Sequence, residues 1–116
     1  MKRESKIQQE IVMYVTNNFG LKHHNPKCLI FSVPNEGKSA QEQMYKKMLG
    51  MKSGVSDLIL VMPSRVVFVE CKDDTGKQSE NQKEFESDVT ALGFEYWLVR
   101  SLDDFKAHLE NIFTFF

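Results

Sequence analysis

Residues 57–72 hold two apolar runs, Leu58-Ile59-Leu60-Val61-Met62 and Val66-Val67-Phe68-Val69, joined by Pro63-Ser64-Arg65. Asp57 precedes the first run and Glu70-Cys71-Lys72 ends the second. Two β-branched stretches around a proline turn predict a buried antiparallel hairpin with acids at its open end. Side chains alternate along a strand, so Glu70 and Lys72 share a face with Val66 and Phe68, and Cys71 points the other way. If the turn leaves two or four residues unpaired, Asp57 falls opposite Glu70, where Cβ atoms of cross-strand neighbours stand about 4.5–5.5 Å apart. On their own these residues also describe an ordinary hairpin with a wet, charged end. Two carboxylates so close repel, however, and need a proton, a base or a cation between them. Oxygen-only ligands suit a hard divalent cation, with Lys72 beside it as a point-charge donor or proton acceptor.

The 116 residues are 41% hydrophobic and suit one domain, residues 1–116, around one core. No apolar run approaches the roughly 18 residues of a membrane span, and Met1-Lys2-Arg3-Glu4 leads into an amphipathic segment, so the expected location is the cytoplasm with no membrane partner. Cys28 and Cys71 lack metal-finger spacing and are expected as free buried thiols. A net charge of −1 excludes a globally basic nucleic-acid binder, so any such partner must be held by a local patch.

Ile7, Ile11, Val12, Tyr14, Val15 and Phe19 recur at helical spacing over residues 4–19, with Gly20 as a stop. At about 100° per residue Glu4 and Gln8 project with the apolar stripe, whereas Glu10 lies well round the wheel. The inward Glu4 has an ordinary explanation, since acids favour helix N-termini. His23 and His24 fall in a polar loop and take no role. Residues 28–33 read as a strand ended by Pro34, then a turn at Asn35-Glu36-Gly37-Lys38 and a short helix over 39–49 capped by Ser39. Lys38, Lys46, Lys47 and Lys52 gather positive charge before Asp57, either as a solvated helix face or as the cations a polyanion would need. Ser79 caps a helix over 79–92 with Gln82 in its first turn, Gly93 ends it, and 94–99 read as a strand parallel to the Glu70 strand by the right-handed crossover rule. A last helix covers 103–112. The expected fold class is α/β: a mixed four-stranded sheet flanked by helices in the order αβ(α)ββαβα.

This order, with Asp57 followed by Glu70-Cys71-Lys72, resembles the PD-(D/E)xK nuclease superfamily and its restriction-endonuclease-like core. More narrowly it is similar to the virus-type replication-repair nuclease family, VRR-NUC. The pieces that carry the likeness are Glu4-Ser5-Lys6-Ile7-Gln8, Pro34-Asn35-Glu36-Gly37, Gly54-Val55-Ser56-Asp57-Leu58, Val69-Glu70-Cys71-Lys72 and Ser79-Glu80-Asn81-Gln82. The chain departs from the pattern at Ser56, which stands where the motif has proline. The resemblance implies a divalent-metal DNA phosphodiesterase using Mg2+ or Mn2+, with Asp57, Glu70 and the Cys71 main-chain carbonyl as ligands. Lys72 would orient or activate water, and Glu4 would act as the helix-one acid, in part through water. Gln8, Asn35, Lys38, Lys46, Lys47, Lys52 and Gln82 would support or contact substrate. Small stand-alone phage or bacterial members imply a homodimeric resolvase of branched, four-way DNA. For such a dimer the sequence offers Met44, Tyr45, Met48 and Met51, or Phe113, Phe115 and Phe116. A DNA-binding module of the same fold without catalysis, and a thiol enzyme using Cys71, are the alternatives.

Overall fold

The computed structural model describes residues 2–34 and 39–113. Four helices and four strands follow in the order α1 (Arg3–Phe19), β1 (Leu29–Ser32), α2 (Ala40–Met48), β2 (Leu58–Met62), β3 (Arg65–Cys71), α3 (Glu80–Ala91), β4 (Glu95–Val99) and α4 (Leu102–Phe113). The strands form one mixed sheet in the order β1-β2-β3-β4. β1, β2 and β3 are antiparallel neighbours, and β4 runs parallel to β3 as the crossover through α3 requires.

Pro63 and Ser64 alone form the hairpin turn, because Met62 pairs with Arg65. Ser64 takes the left-handed backbone at φ 57°. Continuing the Leu58–Val69 pairing by one residue sets Asp57 opposite Glu70, as the two-residue turn demands.

Alternation divides the sheet into unequal faces. Leu58, Leu60, Met62, Val67, Val69, Cys71, Trp97 and Val99 point to one face and are buried under Ile7, Ile11 and Val15 of α1 and Phe105, Leu109 and Ile112 of α4. These helices present apolar residues at i, i+4 and i, i+3 spacing, so each offers a stripe that the sheet can cover. The other face carries Phe68, Glu70 and Tyr96, over which α3 lays Phe85 and Val89. Phe68 meets Phe85 edge-on at 5.3 Å between centroids.

Ser39 caps α2 by accepting from the Glu42 N–H, and Ser79 caps α3 in a reciprocal box with Gln82. Helix α2 has no buried residue; Met44, Tyr45 and Met48 are 67%, 62% and 79% exposed, so they are not core. Phe113, in contrast, packs on Phe19 at 4.9 Å and belongs to the rim of the core. Phe115 and Phe116 lie outside the described residues. Both cysteines are free and buried, as their surroundings in the sequence suggested. No helix among the described residues is long and apolar enough to cross a membrane.

Candidate active site

Asp57 is fixed twice. Its main-chain carbonyl accepts from Val33 N–H at 3.3 Å, extending the β1–β2 ladder, and its Oδ2 accepts from the Cys71 N–H at 2.7 Å. The second bond spans the end of the hairpin and turns the Asp57 carboxyl toward β3. In extended backbone a residue's N–H and C=O lie on the same side, so the Cys71 carbonyl also faces the Asp57 side of the strand. On the other side, Lys72 N–H donates to the Val99 carbonyl at 3.0 Å.

Ser56 answers for the missing proline. It is fully buried, and its hydroxyl donates to the Leu58 carbonyl at 3.1 Å, a local side-chain bond that shapes the turn into β2. Just upstream, Gly54 has φ 81° and lies directly on the first turn of α3, where an added Cβ would collide with the Asn81 carbonyl. No other residue combines that backbone with that approach. The loop and α3 together wall a cleft of about 400 Å3 that includes Lys47, Met51, Asp57 and Gln82.

Glu70 departs most from expectation. The sequence places it at a wet strand end, yet it is 0% exposed. Its cover is a polar chain: Tyr96 donates to Glu70 Oε2 at 3.3 Å, Gln78 Nε2 donates to the Tyr96 hydroxyl at 3.1 Å, and the same amide donates to Glu86 Oε1 at 3.0 Å. Glu70 Oε1 is the one fully buried side-chain polar atom without a partner among the described residues. Burial and then the facing Asp57 carboxyl push Glu70 up to about 9, against the opposing pull of the Lys72 charge and the Tyr96 hydroxyl. Without a cation, Glu70 therefore holds a proton at neutral pH.

Glu4 is half-buried on the inner side of α1, and Glu10 is exposed. Glu4 Oε2 lies 2.8 Å from where Gly76 would carry a Cβ, and the Lys72 side chain lines the same spot at 3.4 Å. Glycine at 76 thus leaves room for an acid and a lysine to approach one another. Glu4 does not close into a three-acid cluster with Asp57 and Glu70, since no group of three or more His, Cys, Asp or Glu residues poised around one point occurs among the described residues. The 73–76 loop that brings Gly76 there is held by Arg100, whose Nη1 donates to the Asp73 and Gly76 carbonyls at 2.6 and 2.9 Å.

The remaining sequence candidates separate. Lys47 and Gln82 line the cleft; the Gln82 side-chain carbonyl also accepts from Ser79 N–H, leaving its amide hydrogens for other partners. Lys46 pairs with Glu42 at 3.0 Å, and Lys52 is exposed outside the residues that line the cleft. Gln8 lines a groove with Met13, Phe31 and Ser32, at the α1 side of β1. Asn35 and Lys38 lie outside the described residues. His24 Nδ1 accepts from Leu21 N–H at 2.8 Å, a contact within the loop. Sequence reasoning missed Tyr96, Gln78, Glu86 and Arg100; the only signal available for Tyr96 was its even-numbered register with Phe68 on the Glu70 face.

The donor set fits a hard divalent cation. Two carboxyls meet at one sheet end, one of them offers a buried oxygen without a hydrogen-bond partner, and every candidate ligand is oxygen. The Cys71 thiol is not a competitor: it belongs to the apolar core, and burial with the nearby Asp57, Glu70 and Glu4 charges pushes it well above the ordinary thiol range.

An α/β sheet whose hairpin carries paired acids and a lysine to one end defines a nuclease-like fold. The model of the VRR-NUC domain matches residues 2–103, so the chain belongs to the VRR-NUC family, a nuclease family. A solved structure described as a VRR_NUC domain protein superposes with a TM-score of 0.74 at 18% identity, covering 96% of this chain and 88% of that one. No curated protein matches the chain in sequence.

Proposed function

We propose that the chain is a divalent-metal-dependent endodeoxyribonuclease that cuts branched DNA. The observation that carries this reading is the pairing of Asp57 with Glu70, whose buried Oε1 has no partner. Asp57, Glu70 and the Cys71 carbonyl would hold Mg2+ or Mn2+, with Glu4 acting through water. A cation bound there would supply Lewis acidity toward a phosphodiester oxygen and would lower the pKa of water. Lys72 would hold the attacking water by donating a hydrogen bond or accepting its proton, with Glu4 on the other side of the space that Gly76 leaves open. Lys47 and the Gln82 amide, on the walls of the cleft, would bind flanking phosphates; Lys46 and Lys52 would add to the field from further out.

A four-way junction presents two related scissile strands, and the described residues bring together one such carboxyl pair. Paired cuts therefore call for two copies about a twofold axis. The exposed Met44, Tyr45 and Met48 of α2 offer apolar surface for that contact. The expected setting is the cytoplasm, that of the host if the chain is phage-encoded.

Labelled linear, flapped, hairpin and four-way DNA incubated with the protein in magnesium, manganese or EDTA test the reading. Cleavage of branched substrates that EDTA abolishes is expected. Cleavage that survives EDTA, or DNA bound but never cut in either metal, would sink it. Light scattering of the protein, free and on junction DNA, tests the pair; a monomer in both states removes the paired-cut model.

A further inference from the structure

The polar chain at Glu70 joins three elements and a loop. Glu70 stands on β3, Tyr96 on β4, Gln78 in the loop before α3 and Glu86 on α3 itself. Its direction follows from donor counting. A Gln78 amide turned the other way would set its carbonyl oxygen against Glu86, a carboxyl that can only accept when ionised. With the nitrogen there, its two hydrogens serve Glu86 Oε1 and the Tyr96 oxygen at once. The Tyr96 hydroxyl, already accepting from Gln78, then has its own proton directed at Glu70 Oε2. Packing of the Tyr96 ring near Phe85, at 6.3 Å between centroids, holds the phenol in that line.

We infer that Tyr96, oriented by Gln78 and Glu86, is a positioning residue that engages one oxygen of Glu70 and so leaves Oε1 as the oxygen available to a divalent cation. This rests on the metal-dependent reading of the site. A carboxyl in a site with no such tether could rotate, or present both oxygens; here one oxygen is committed. Groups that orient a ligand in this way commonly change metal affinity by about 10–100-fold. The 3.3 Å separation is long for an O–H···O bond. The contact is therefore a weak contributor to the fold, and its loss should be read first in metal binding.

The test is Mn2+ titration by calorimetry on the whole chain, without DNA, for the parent, Asp57→Ala, Tyr96→Phe and Gln78→Leu. Tyr96→Phe is expected to weaken Mn2+ by about 10–100-fold with a melting temperature in EDTA that matches the parent. Gln78→Leu, which leaves β4 intact, is expected to weaken it several-fold, and decides the matter if Tyr96→Phe fails to fold. In cleavage assays saturating Mn2+ should return Tyr96→Phe to the parental rate, since the chemistry keeps all its groups. Parental Mn2+ affinity in the folded variants, with binding lost in Asp57→Ala, overturns the relay and leaves the metal site standing. A parent that does not bind Mn2+ overturns both.

Discussion

The two faces of the sheet are made from alternate residues of the same strands and do different work. On the face under α1 and α4, Val67, Val69 and Cys71 join an unbroken apolar core. On the face under α3, Val66 and Phe68 are only half-buried, and the one fully buried residue of that row on β3 is the acid Glu70. Burying apolar surface stabilises at about 25 cal/mol per Å2. Burying an unpaired carboxylate costs so much that the group takes up a proton instead. The first face holds the chain folded; the second spends part of that stability keeping a carboxyl dry beside Asp57, with one of its oxygens lacking a hydrogen-bond partner.

Breaking each face separately should show the division most sharply. Asp57→Ala removes a carboxyl from the second face and is expected to lower cleavage by at least ~10^3-fold, several kcal/mol of lost transition-state stabilisation. Its melting temperature should fall far less than that of a core truncation, because Asp57 contributes one hydrogen bond, from Cys71 N–H, and no apolar packing. Phe105→Ala on the first face is expected to cost about 3–5 kcal/mol of stability. The fraction that remains folded at low temperature should still cut. Parallel melting curves and single-turnover rates check both; a stable Phe105→Ala protein without activity would mean that the faces are not separable.

The buried acid also gives the protein a characteristic pH dependence in EDTA. The folded-state value of Glu70 lies above its ordinary 4.5, at about 9. Between those values the folded state binds more protons than the unfolded one, so stability falls as pH rises. The group's contribution is complete below about 4.5 and is lost as pH passes through about 9. Glu70→Gln, neutral at every pH and of the same shape, should flatten that part of the curve and be the more stable protein at pH 9, although inactive. Divalent cation has to displace the proton, so its affinity should rise as pH rises across this window. Denaturation series at several pH values decide it; an unchanged slope in Glu70→Gln would place the linked proton elsewhere.

On helix α1 the contrast is between two acids on one element. Glu4 faces the Gly76 gap beside Lys72, and Glu10 faces solvent. Glu4→Gln is expected to weaken metal-supported cleavage by about 10–100-fold, as supporting groups around a metal do, and Glu10→Gln to leave it within about twofold. Rates measured across a metal titration rank them, and the reverse ranking would put the acid site on the wrong side of the helix.

How much of this was readable beforehand follows from which interactions are local. Alternation and a two-residue turn were enough to set Asp57 opposite Glu70, and Ser39 and Ser79 announced their helices because a cap lies within three residues of its partner. The burial of Glu70 was not readable. Period-two alternation says which face a residue takes but not what lies over it, and here the cover comes from Tyr96, 26 positions away, tied through Gln78 to Glu86. For helix α2 the sequence left core and surface open for a related reason: Met44, Tyr45 and Met48 mark an apolar side, and nothing in their spacing says whether this chain supplies its partner. The groove that Gln8 lines with Phe31 depended on how α1 crosses the sheet, which helical periodicity leaves free.

The smallest expected effect tests the comparison where the faces are one residue apart. Cys71 adjoins Glu70, is as deeply buried at 1% exposed, and differs only in pointing to the apolar side. Its main chain serves the site, since its N–H holds Asp57 Oδ2 at 2.7 Å, but that bond is independent of the side chain. The thiol itself is pushed far from the range in which it could act as a nucleophile, by burial first and then by Asp57, Glu70 and Glu4. Cys71→Ala should therefore cost about 1 kcal/mol, the loss of one buried sulfur with partial collapse of the space, and leave cleavage within about twofold. A thiol reagent should likewise leave the folded protein active while EDTA stops it. Loss of cleavage in a Cys71→Ala protein that melts normally would move the chemistry to the apolar face and undo the division of labour between them.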